Sequence, residues 1–293
     1  MAVSNTSLVG ITGATGFIGK HLVRTLKGDG YGTRALVRDN VSDAEENIKG
    51  DLIEKKALSS FLNGVDVVVN LVGGYYPPFE DQLRSNVLAI NNLCEEAVGA
   101  KVKKIVHIST AAVYGVSESG QKLKEEDVTK PDTRYGLAKR LAEKVCEFYG
   151  HNTEIPFIIL RPANVYGPGS DHGTVASLVE AAKKTGQVTI YGDGKARRDF
   201  LFVSDMVGAI IKAIEFDSKY EVFNIGTGED YSLLDLVRFI EKITGKELEK
   251  NFKKKQDYVS EMVAPNVEKA TKKLEWKAEV SLEEGLKKLL KSP

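Results

Sequence analysis

At 293 residues, with 41 lysines and arginines against 41 aspartates and glutamates, the chain has a formal net charge of zero. That length can build one large α/β domain or a domain with a smaller appendage, and the neutral balance excludes a global field drawing the protein to nucleic acid or anionic lipid. No run of about 18 apolar residues occurs, which excludes a membrane-spanning helix.

The N-terminus, MAVSNTSLVGITG, enters an apolar run almost at once and leaves no room for the charged and apolar regions of a signal peptide, so a cytoplasmic location is expected. Residues 7–12 (SLVGIT) read as a buried strand. Gly13, Gly16 and Gly19 lie between that strand and an amphipathic helical segment, 17–28. A glycine-rich turn from strand to helix lets backbone N–H groups approach a pyrophosphate, while the helix N-terminus supplies partial positive charge. The spacing is Gly-x-x-Gly-x-x-Gly and departs from the Gly-x-Gly-x-x-Gly fingerprint. Its place between strand and helix nevertheless marks a dinucleotide site, with Gly13, Thr15, Gly16, Phe17, Ile18 and Gly19 around the cofactor. A second strand at 33–38 (TRALVR) ends where the adenosine ribose would lie. Arg38 precedes Asp39 there, and a guanidinium suits the 2′-phosphate of NADP, so NADP is favoured over NAD; the same side chain could instead stack on adenine. Asp51, followed by Leu52, stands where a carboxylate could accept from the adenine amino group, or else serves a plain turn.

Helical segments at 55–64, 82–99 and 133–150 then alternate with apolar runs at 65–70, 103–109 and 156–161. Short strands that are apolar throughout imply burial on both faces, so this rhythm predicts an α/β fold with a doubly wound parallel sheet over residues 1–163. Beyond residue 164 the pattern changes to Gly-rich loops and helices at 204–216, 232–245 and 281–292. A smaller C-terminal substrate lobe, 164–293, is expected, interleaved with the first. Cys94 and Cys146 sit in apolar helical contexts and read as buried thiols. His21, His107, His151 and His172 show no zinc-ligand spacing, so no metal is expected. The lysine runs at 253–255 and 287–291 read as solvated faces.

Tyr135 and Lys139, four apart in RYGLAKRLAEK, share one helix face. The copy formed by Tyr191 and Lys195 brackets two glycines and loses that relation. A phenol titrates near pH 10 and needs a neighbouring cation to act as a base near neutrality, which Lys139 can supply. Ser109 and Thr110, at the carboxyl end of the strand 103–109, are placed to hold a substrate hydroxyl for proton transfer.

The motifs TGATGFIG, STAAVYG, YGLAK and RPANVYGPG together resemble the extended branch of the short-chain dehydrogenase/reductase superfamily, in particular the NAD-dependent epimerase/dehydratase family of UDP-glucose 4-epimerase-like enzymes. The resemblance spans nearly the whole chain. It implies a Rossmann-type domain in which Tyr135 exchanges a proton with the sugar 4-hydroxyl, Thr110 steadies that oxygen and Lys139 binds the nicotinamide ribose. It also implies that Asn86 helps hold the active-site helix and that Asn164 and Arg198 contact the substrate diphosphate. A homodimer is implied, formed by the helix carrying Tyr135 and the helix beginning near Pro78. Three departures matter. Ala111 and Ala112 replace the acids of the dehydratases, Lys255 stands where many epimerases carry an arginine, and Tyr75 and Tyr76 occupy a loop usually built from small and basic residues. The expected activity is sugar-nucleotide C4 epimerisation by transient oxidation. The alternatives are NADPH-dependent reduction of a 4-keto sugar nucleotide or other carbonyl, and a non-catalytic dinucleotide sensor.

Overall fold

A computed structural model describes residues 6–74, 78–116, 121–254 and 264–291. Tyr75, Tyr76 and Lys255 lie outside these. Strand β1 (Leu8–Thr12) leads through the glycine turn into α1 (Phe17–Gly28), followed by β2 (Gly32–Val37), β3 (Glu46–Lys49), α2 (Lys55–Leu62) and β4 (Val67–Asn70). After α3 (Phe79–Leu83) the helix widens into a π turn at Arg84–Leu88 and continues as α4 (Ala89–Ala100). Next come β5 (Lys104–Ile108), a 3-10 turn (Ala111–Val113), α5 (Arg134–Asn152) and β6 (Phe157–Pro162).

Beyond β6 the chain runs through β7 (Asn164–Tyr166), α6 (Thr174–Lys184), β8 (Gln187–Tyr191), β9 (Arg197–Arg198) and β10 (Phe200–Phe202). It continues as α7 (Val203–Glu215), β11 (Tyr220–Ile225), β12 (Tyr231–Ser232), α8 (Leu233–Thr244), β13 (Glu249–Lys253), α9 (Glu268–Lys273) and α10 (Leu282–Lys291).

Seven strands form one parallel sheet in the order β11-β6-β5-β4-β1-β2-β3. The order reverses between β1 and β4, which opens a crevice at their carboxyl ends where ligands of such sheets bind. Val67, Val68 and Val69 of β4 are fully buried, as an all-apolar strand between two helical layers must be. One layer, with α1 and α7, covers Val9, Ile11, Val106 and Phe223. The other, with α2, α4 and α5, covers Val68, Ile105, Phe157 and Ile159. A third cluster centred on Val179, Ile190, Phe202 and Leu236 joins α6, α8 and α10 beneath the short sheets. The chain re-enters the main sheet after residue 164, because β11 pairs with β6 and α7 packs on α1. Residue 163 therefore marks where the chain first leaves the sheet, not a division into two continuous halves.

Candidate active site

Two cavities meet over the carboxyl edge of the sheet and share Gly13, Gly16, Leu71 and Gly73. The smaller, of 320 Å³, is lined by Thr15, Arg38, Asp51 and Leu52; the larger, of 460 Å³, by Phe17, Ile18, Gly19, Ser109, Thr110, Tyr135, Lys139 and Asn164. The glycines are required sterically. Gly13 adopts φ +74°, and a Cβ on Gly19 would lie 2.2 Å from the Gly13 carbonyl oxygen and 2.7 Å from Ala14 Cα. At Gly73 a Cβ would fall 2.3 Å from Lys139 Nζ and 2.4 Å from Asn86 Oδ1. A bare backbone trough opening at a helix N-terminus fits a dinucleotide.

Tyr135 and Lys139 stand in the first two turns of α5, whose N-terminus is capped by Thr133 accepting from the Gly136 N–H at 3.0 Å. The Thr110 side chain lies beside the Tyr135 hydroxyl, where it favours the ionised phenol. Thr110 itself caps the 3-10 turn, its Oγ1 accepting from the Ala112 N–H at 3.2 Å. Lys139 Nζ donates to the carbonyls of Ile108 at 2.8 Å and Val72 at 3.3 Å. Burial pushes the Tyr135 phenol up to about 12, opposed by the Thr110 contact and not by Lys139. Lys139 is itself brought down to about 8 by burial, against the raising influence of Cys146 and Glu143.

Ser109 lines the larger cavity, but its hydroxyl is turned to the protein. It is 3% exposed, and its hydroxyl donates inward to Glu143 Oε1 at 2.5 Å. Asn164 lies on the cavity wall with Nδ2 donating to the Asp199 carbonyl at 3.0 Å. Arg198 lines neither cavity. It lies on β9, opposite Tyr231 of β12, and on that two-residue strand the neighbouring Arg197 reaches Asp230 and Asp235 at the surface. Asn86 sits in the π turn, with Nδ2 donating to the Gln82 carbonyl at 2.8 Å and a buried, unpartnered Oδ1 facing Gly73. Tyr191 and Lys195 fall at the end of β8 and in the turn after it, where Gly192 and Gly194 have φ near +76° and +74°. Cys94 and Cys146 are buried free thiols, and no metal-holding cluster occurs among the described residues.

Several polar residues at this edge were not anticipated. Thr12, Asn70 and His107 align across β1, β4 and β5, with Thr12 Oγ1 donating to Asn70 Oδ1 at 2.5 Å and Asn70 Nδ2 3.0 Å from His107 Nδ1. Burial, with the Lys139 charge, holds His107 well below its ordinary range, so the ring is neutral. Glu143 and Arg161 form a buried ion pair, and His172 and Thr174 join the cavity wall. A usable signal existed only for Glu143, four residues beyond Lys139 on the same helix face.

Comparison with known proteins gives a match to the family described as NAD dependent epimerase/dehydratase family over residues 9–226. The UDP-glucose 4-epimerase of Mycolicibacterium smegmatis is 30% identical, with 95% of this chain and 96% of that protein covered. Among solved structures, MoeE5 in complex with UDP-glucose and NAD has a TM-score of 0.90 at 32% identity, covering 96% and 97% of the two chains. The UDP-glucuronic acid 4-epimerase of Bacillus cereus, in complex with UDP-glucuronic acid and NAD, has a TM-score of 0.89 at 29% identity, covering 97% and 98%.

Proposed function

The chain belongs to the NAD-dependent epimerase/dehydratase family, and from that premise we propose that it is a C4 epimerase of a sugar nucleotide of the UDP-glucose/galactose type. The observation that carries this is the convergence of Thr110, Tyr135 and Lys139 on one cavity that continues into the glycine trough. Ala111 and Ala112 offer no group to move the protons that dehydration requires, which favours epimerisation. Among the described residues that line the larger cavity, Lys139 is the one lysine, arginine, aspartate or glutamate. A uronate would bring a carboxylate into a wall with no free cation, so the sugar is read as an uncharged hexose.

Tyr135 exchanges the proton of the sugar 4-hydroxyl, with the Thr110 side chain beside the phenol and able to hold the substrate oxygen. Lys139, whose Nζ adjoins Gly73, would hold the nicotinamide ribose. When bound, the nicotinamide supplies a hydride acceptor for C4 and a positive charge near Tyr135. Such a charge favours the phenolate, which burial alone opposes. Asn164, on the wall of the larger cavity, and Arg198, outside both, remain the candidates for the diphosphate. NAD is taken as the resident cofactor because MoeE5 and the Bacillus cereus epimerase hold it. Arg38, exposed at the rim of the smaller cavity, is the one feature favouring NADP and with it a net reductase.

We also infer a homodimer. Leu137, Leu141 and Phe148 of α5 and Leu88 beside α4 are 38 to 61% exposed, an apolar face without cover in the single chain.

Mass spectrometry of nucleotide released from purified protein, with NMR of UDP-glucose incubated with it, tests the activity. Retained NAD and appearance of UDP-galactose are expected, and Tyr135→Phe should lower the rate about 100-fold or more while leaving the nucleotide bound. Exchangeable NADP without interconversion would replace this reading with the reductase. A Tyr135→Phe protein as active as wild type would remove the proposed base.

A further inference from the structure

Glu143 lies one turn beyond Lys139 on α5, and each of its carboxylate oxygens accepts two hydrogen bonds. Oε1 accepts from Ser109 Oγ at 2.5 Å and Arg161 Nε at 2.9 Å; Oε2 accepts from Arg161 Nη2 and Arg140 Nη1, both at 2.8 Å. The Glu143 and Arg161 side chains are 1% and 4% exposed. A buried ion pair is a poor device for stability, because apolar residues of equal volume commonly serve as well or better. What four fixed donors do supply is orientation.

We propose that Glu143 is a positioning residue for the reaction inferred above, and this rests on that reading. Its carboxylate, aligned by Arg161, anchors the Ser109–Thr110 corner to the catalytic helix so that the Thr110 hydroxyl meets Tyr135, and Ser109 belongs to this brace, not to the substrate. The corner needs such an anchor. Ser109 follows the last residue of β5 and is fixed on the strand side by its N–H donating to the Leu160 carbonyl at 2.7 Å. Thr110 accepts from the Ala112 N–H, which leaves its own proton for the oxygen it faces.

The brace continues away from α5. Arg161 Nη1 donates to the Tyr114 hydroxyl at 2.8 Å, and that hydroxyl donates to Asn224 Oδ1 at 2.8 Å. Asn224 Nδ2 donates in turn to the carbonyls of Leu123 at 3.0 Å and Asn266 at 3.1 Å. Glu143 thus stands where the catalytic helix, the end of β5 and the loops beyond the sheet edge are joined by hydrogen bonds.

Ser109→Ala decides the matter, because it leaves the ion pair and the fold intact and removes only the anchor. The expected result is a kcat lowered about tenfold with KM and bound NAD within about twofold of wild type, as misplacement of a catalytic hydroxyl requires. A substrate ligand would behave otherwise, raising KM. Glu143→Gln strands Arg161 without its counter-charge, so the companion variant is Glu143→Leu with Arg161→Met, which keeps the volume apolar and should show the same loss in kcat. Wild-type kcat in Ser109→Ala or in a folded pair variant, or a raised KM at unchanged kcat in Ser109→Ala, would overturn the proposal. An inactive wild-type enzyme would sink the epimerase reading and this brace with it, whereas an active wild type with unaffected variants would sink the brace alone.

Discussion

Lys139 carries a charge through a place that disfavours it. Its ammonium is buried near His107 and Asn86 and donates to the carbonyls of Val72 and Ile108, and burial holds its folded value near 8, below the ordinary 10.5. The linkage has a definite sign. Between these values the unfolded chain holds a proton that the folded protein has released, so stability rises with pH across that window and the gain is lost again as pH falls from about 10.5 to about 8. Relative to Lys139→Met, the cofactor-free wild type should gain up to about 3 kcal/mol between pH 7 and 10.5. Urea titrations of both proteins at several pH values measure it, and parallel curves would contradict the assigned burial. The lysine is tolerated for what it does with a bound dinucleotide, in keeping with the cost that functional groups commonly impose on stability.

At the scale of elements, α1 shows a steric demand overriding propensity. Alanine is the better helix former by nearly 1 kcal/mol, yet a methyl at Gly19 would press on Gly13 and Ala14 of the preceding turn. Gly19→Ala should therefore destabilise by about 1–3 kcal/mol and reduce the NAD that copurifies. Thermal melts with nucleotide quantitation check this, and a stabilised, fully loaded variant would contradict it. This turn was legible because strand, glycines and helix are contiguous; the span 17–28 of α1 matches its hydrophobic period to the residue. Strand β3, with sequence ENIK, was not legible, since a short polar edge strand lacks both alternation and an apolar run. The widened turn around Asn86 was equally hidden inside an unbroken helical pattern. Tyr135 and Lys139 could be found by spacing on one helix. Glu143 shares that spacing, four residues beyond Lys139, but Arg161 gave no signal, because charged residues normally read as solvated and their pairing is made by tertiary contact between α5 and β6.

The whole molecule adds what neither residues nor elements contain, a strand order and an uncovered face. Leu137→Glu combined with Leu141→Glu would place carboxylates on that face and should convert a dimer to monomers without loss of folding, visible as a halved molar mass in light scattering. A wild type that is already monomeric would refute the dimer. The alternation of apolar runs made a parallel sheet predictable over the first 163 residues, but not that β11, about 60 residues later, completes it. That late arrival bears on biosynthesis. Until residue 225 has left the ribosome, β6 presents an open edge, apolar except for Arg161, next to a nascent segment of β7 to α7 that has no finished sheet to rest on. A chain paused or truncated within residues 163–219 would leave that edge of β6 unpaired and open to association with another chain.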